Sequence, residues 1–212
     1  MLAQLFNNPA SFAIWLFALL VAITVHEYAH AKTADYLGDP TARLAGRVTL
    51  NPLAHLDPVG TLMLLLVRLG WGKPVPIDPF NLRHPRRDTA IISVSGAVSN
   101  LITASFLSLL LRLPFLPYSL MINTIVIPVI VLNVSLAIFN LIPIHPLDGG
   151  KVLVGILPEA SAKNWDRFLS RYGFILLLLV IFPWFGFSII NVVIFPIINL
   201  ILSVLLPRMP LI

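Results

Sequence analysis

The chain is divided into long apolar blocks that carry no formal charge. Phe12 to Val25 is one, and Phe174 to Leu206, interrupted by Pro183-Trp184-Phe185-Gly186, is another. Blocks of this kind read as helices in lipid rather than as the core of a soluble domain. The composition agrees: 58% of residues are hydrophobic and 11% charged, where an ordinary globular protein has roughly 25% charged. A net charge of +5 would suit nucleic acid if the basic residues formed one patch. They collect instead in the segments between apolar blocks, where they face anionic headgroups and set topology. No nucleic-acid partner is expected. The absence of cysteine excludes disulfides and thiolate metal sites. No Lys or Arg precedes Lys32, so the first block lacks the basic region of a signal peptide and is expected to be retained.

In chain order, Pro9 is placed to start a helix and Gly38 to end it. A helix over residues 10–37 would be about 42 Å long, with His26 about 24 Å along it, against a hydrocarbon core of about 30 Å. Arg43-Leu44-Ala45-Gly46-Arg47-Val48-Thr49-Leu50 has a partial period of two and predicts a short strand or hairpin arm. Asn51-Pro52 ends it, and Asp57-Pro58-Val59-Gly60 makes a turn. Thr61 to Trp71, which includes Arg68, is too short to span and predicts a re-entrant or interfacial segment. Residues 72–88 are polar, proline-rich and basic, and belong outside the bilayer.

A second crossing is predicted from Asp88 to Leu113, with Ser93, Ser95, Gly96, Ser99 and Asn100 spaced for close helix packing. Pro114 to Pro117 is a tight loop. A third helix, Ser119 to about Leu141, breaks at Pro143 and Pro146 and ends at Asp148-Gly149-Gly150. Residues 151–171 are mixed and basic, and residues 174–206 fit two closely spaced crossings. The expected fold is therefore an all-α polytopic membrane protein. It has about five transmembrane helices, the re-entrant segment and a small membrane-associated β element near 43–50. One domain, 1–212, is expected, with a core over about 10–155 and C-terminal helices over about 172–206. Of 14 Lys and Arg residues, all but Arg112 and Arg208 fall in residues 32–88 or 148–171, the side expected to be cytoplasmic.

Into the end of the first apolar helix is written His26-Glu27-Tyr28-Ala29-His30. Histidines at i and i+4 lie one turn apart on one face and can hold one zinc ion, with Glu27 beside it as a general base. A catalytic zinc takes three protein ligands and keeps one open position. Candidates for the third are His55, Asp57, His84, His145 and Asp148. Asp148 is favoured because a broken helix and an ionised carboxylate are costly at membrane depth unless they line a cavity or bind an ion. An ordinary helix cap with Pro and Gly is the alternative.

Together with this motif, Asn51-Pro52-x-x-His55-x-Asp57-Pro58-x-Gly60 and Asn140-x-x-Pro143-x-x-Pro146-Leu147-Asp148-Gly149 resemble the site-2 proteases. These are zinc metalloproteases that cut within or beside transmembrane helices. Lys73-Pro74-Val75-Pro76 looks like the family's linker. The resemblance covers most of residues 20–155, in the family's order. It implies one zinc held by His26, His30 and Asp148, with Glu27 as base, in the compact subgroup that has neither a PDZ nor a nucleotide-sensing domain. Two departures stand out. Ser95-Gly96-Ala97-Val98-Ser99-Asn100 lacks a proline common in the family's second helix, and His145 occupies a position where proline is common.

Oxyanion or substrate contacts are expected from His55 and Asn140, with His145 at the cavity rim and Asp57 forming a turn. The substrate would be a transmembrane protein whose helix unwinds and adds as a strand to residues 43–50. The bilayer is expected to be the cell (plasma) membrane, and a homo-oligomer is left open. A metal-ion transporter using His26, His30 and Asp148 as a transit site is the competing reading, although the outer half of the chain has few ionisable groups to line a path. An inactive binding relative is a third.

Overall fold

The computed structural model describes residues 8–67, 70–113, 120–183 and 188–206. Arg68, the loop Pro114 to Pro117, the helix start at Ser119, Trp184-Phe185-Gly186 and Arg208 lie outside them. The described residues are helical, with no strand. In order they form α1 (Pro9–Tyr36), α2 (Thr41–Leu44), α3 (Pro58–Val67), α4 (Pro85–Leu111), α5 (Leu120–Asn140), α6 (Asp148–Ile156), α7 (Glu159–Ile181) and α8 (Phe195–Leu205). A π-helical turn, Ile190–Ile194, leads into α8. Two of these, α1 and α4, are long and apolar enough to cross a membrane.

The ends of α1 follow from its sequence. Asn8 accepts a hydrogen bond from the Ser11 amide at 3.0 Å, and Pro9 occupies the first turn, where its missing N–H costs nothing. Gly38 stops the helix with φ of +109°, a conformation that disfavours any side chain.

The site depends on how α1 meets α4. On α1, Ala18, Ala22, His26, His30 and Ala34 recur every fourth residue and are all buried. On α4, Ile92, Gly96, Asn100, Ala104 and Ser108 do the same. Both stripes are made largely of small residues, which let helix backbones approach closely. Outside this contact, Val98, Ile102, Phe106 and Leu109 form an exposed apolar face on α4, as a helix facing lipid requires. α5 closes the bundle, and Ala104, Ile130, Val134 and Ile198 form a buried cluster joining α4, α5 and α8.

Two expectations are corrected. Residues 43–50 do not form a strand. Leu44 N and Ala45 N donate to the Pro40 and Thr41 carbonyls at 2.9 and 3.0 Å, which closes the one-turn helix α2. Arg43 Nε pairs with Asp35 Oδ1 at 3.0 Å, and Gly46 then turns the chain with φ of +67°. These local bonds override a weak alternation, and the strand expected there is not formed. Nor does Asp148 end a helix. α5 stops at Asn140, residues 141–147 form a turn, and Asp148 opens α6.

Candidate metal centre

His26 and His30 are 4% and 5% exposed, which is unusual for imidazoles unless both nitrogens have partners. Their Nδ1 atoms do. Asn100 Nδ2 donates to the Ala22 carbonyl at 2.9 Å and to Asn133 Oδ1 at 2.7 Å. That orients its acceptor oxygen toward His26 Nδ1, 2.6 Å away. His30 Nδ1 lies 2.7 Å from the Ile92 carbonyl oxygen. An acceptor at each Nδ1 places the ring proton there, so each neutral imidazole presents a bare Nε2.

Both Nε2 atoms face Asp148 Oδ2 at 3.0 Å. Two nitrogen lone pairs and a carboxylate oxygen thus converge with no proton of their own to share, a disposition that calls for a cation. The donor atoms all lie within 4.8 Å of one another, and two imidazoles plus a carboxylate match a catalytic zinc set with a free position. The second contacts, through Asn100 and Ile92, are those that fix a ligating ring and its tautomer. Asp148 sits in the first turn of α6, where the helix dipole favours a carboxylate.

Gly96 explains how α4 accommodates the two rings. A Cβ there would lie 2.6 Å from His26 Cε1, His30 Cε1 and His30 Nε2. No side chain larger than hydrogen fits.

Glu27 is half-buried on the next position of α1. A Cβ at Gly72 would lie 3.7 Å from Glu27 Oε1, so the chain at Gly72 runs close beside the carboxylate. That chain is tied down by an isolated antiparallel bridge between Leu56 and Gly72, and Lys73 N donates to the His55 carbonyl at 2.8 Å.

The remaining expected residues are engaged elsewhere. His55 is fully buried, with Nε2 2.8 Å from the Thr49 carbonyl oxygen and Nδ1 3.5 Å from Arg47 Nη2. Asn140 donates from Nδ2 to Leu136 O on its own helix at 3.1 Å. His145 pairs with Asp166 at 3.3 Å. Asp57 accepts from the Gly60 amide at 2.7 Å, forming the turn expected of it. His84 precedes the first turn of α4. Sequence reasoning gave no role to Asn133, and took Asn100 for a polar packing residue within the second-helix motif, with no contact to the histidines. The signal was its place four residues after Gly96, on the stripe that faces the histidines.

The profile of Peptidase family M50 matches residues 118–180. A Bacillus subtilis protein named as a zinc metalloprotease, YwhC, is 37% identical over 169 residues, covering 76% of this chain and 77% of the relative. Rip2 of Mycolicibacterium smegmatis, also named as a zinc metalloprotease, is 32% identical over 157 residues, covering 69% of this chain and 60% of the relative. Rip2 of Mycobacterium tuberculosis is 32% identical over 136 residues, covering 61% and 52%. No solved structure matches the chain.

Proposed function

Because the chain belongs to peptidase family M50, the site-2 proteases, and is an intramembrane zinc metalloprotease, we propose that His26, His30 and Asp148 hold its zinc and that Glu27 is the general base. The observation that carries this is the convergence of two bare Nε2 atoms and Asp148 Oδ2. Zinc, when bound, supplies Lewis acidity toward a carbonyl and toward water.

The chain's own residues do the rest. Asn100 and the Ile92 carbonyl hold the rings so that only Nε2 faces inward. Glu27, one position from His26, takes a proton from the attacking water and returns it to the leaving amine. The substrate is a membrane protein, and its helix must open locally, because helical amides are locked in i→i−4 bonds. The relatives are named as proteases, which supports hydrolysis over metal transit.

The placement in the membrane belongs to the same proposal. α1, α4, α5 and two C-terminal segments make five crossings of a single domain, with α3 re-entrant. The site faces the cytoplasmic side of the plasma membrane, as the distribution of Lys and Arg supports.

The test uses purified zinc-loaded protein and a mixture of single-span membrane peptides, read by mass spectrometry. Glu27→Gln should retain zinc and lose about 10²- to 10⁴-fold in cleavage rate. Cleavage by Glu27→Gln at the rate of the unaltered protein would overturn the assignment.

A further inference from the structure

We infer that Arg47 is a positioning residue for this hydrolysis, holding the chain at Gly72 to Pro74 in place beside Glu27. Arg47 is 4% exposed and is turned inward directly after Gly46, with its amide donating to the Ala42 carbonyl at 2.8 Å. Its guanidinium reaches the segment that the sequence singled out as a linker. Nη1 donates to the Pro74 carbonyl at 3.1 Å, and Nη2 to the Lys73 carbonyl at 2.5 Å. His55, anchored on Thr49, backs the fork at 3.5 Å. Gly72, the residue before these two carbonyls, is the one at which an added Cβ would come within 3.7 Å of Glu27 Oε1.

A buried guanidinium is a poor device for stability alone, since its desolvation is costly and neutral carbonyls repay little of it. Nε is buried without a hydrogen-bond partner, which adds to that cost. Burial lowers the affinity of Arg47 for its proton, and the Glu27 carboxylate offsets part of that effect. The planar fork suits the task, because a lysine cannot hold two successive carbonyls and meet His55 at once. Arg47 thus ties two elements together: the segment at Lys73 and Pro74 beside Glu27, and the loop after α1.

The inference rests on Glu27 as base, and the experiment separates the two. Arg47→Met and Arg47→Lys are compared with the unaltered protein and with Glu27→Gln on the same peptide mixture. Zinc content and thermal melting are measured alongside. Arg47→Met should keep its zinc and lose about 100-fold in kcat with little change in KM, the size expected when a reacting group is displaced by about 1 Å. Arg47→Lys, keeping the charge but only part of the fork, should recover about tenfold of that loss. If Arg47→Met does not fold, Arg47→Lys alone decides: a lower kcat at unchanged melting supports the inference. Unaltered kcat in either variant overturns it, and so does a fall in kcat that only tracks lost folded protein. If Glu27→Gln cleaves as fast as the unaltered protein, the reading of Glu27 fails instead.

Discussion

His26 Nδ1 lies 2.6 Å from Asn100 Oδ1, across the contact between α1 and α4. Asn100 has no freedom to rotate its amide, because its nitrogen is committed to Ala22 and Asn133. The asparagine therefore decides which nitrogen of His26 is left bare. Asn100→Leu should keep the helical fold and weaken zinc binding by about 10- to 100-fold. Competition with a chelator of known affinity measures this, and an unchanged zinc affinity would refute it.

Gly96 sets the depth to which both rings enter α4. Gly96→Ala should push the imidazoles away from Asp148 and strain the packed stripe, costing about 1–3 kcal/mol of stability. Metal analysis should show zinc lost together with a lower melting temperature. Gly96→Ala protein that retains full zinc would show that the rings have room to move.

The proposed zinc set joins α1 to α6, so the ion should act as a staple. At free zinc about 100-fold above Kd, binding to the folded state alone contributes about 2.7 kcal/mol. Chelation should therefore lower the melting temperature of the unaltered protein. It should leave Asp148→Ala unmoved, and an equal response in both would place the stabilising zinc elsewhere.

Asp39 gives a pH dependence remote from the zinc. It is buried after the end of α1 and accepts bonds from the Asp78 amide at 2.7 Å, Asn81 Nδ2 at 2.9 Å and the Thr41 amide at 3.1 Å. Burial alone would raise its pKa, but these bonds and that of the Thr41 hydroxyl outweigh it and hold the carboxyl below its ordinary 3.8. A depressed folded-state pKa means stability that is present above 3.8 and lost as pH falls through the folded value. Asp39→Asn should melt lower than the unaltered protein at neutral pH, with the gap closing on acidification below 3.8. A gap independent of pH would rule out this linkage.

The site was more legible than the fold around it. His26-Glu27-x-x-His30 could be read because helical spacing alone puts both rings on one face, and α1 begins and ends close to its proline and glycine signals. Asp148 could be grouped with the histidines because a charge beside a broken helix demands a reason, and the structure brings the three together. What could not be read depends on partners distant in sequence. Asn100 looks like any small polar residue until α1 is laid against it. In the sequence Arg47 reads as one residue of a substrate strand, and its burial is visible only once Lys73 and Pro74 fold back over it. The strand at 43–50 failed because eight residues of weak alternation compete poorly with a turn that satisfies its own backbone.

The last point concerns timing. The two histidines are made well before Asp148, which follows His30 by 118 positions. A growing chain therefore holds only a two-point metal grip until α4 and α5 have been synthesised. With Asp148 as the proposed third ligand, hydrolytic competence would come with the closing of α6 onto α1, and a chain cut before Asp148 would lack one arm of the metal grip.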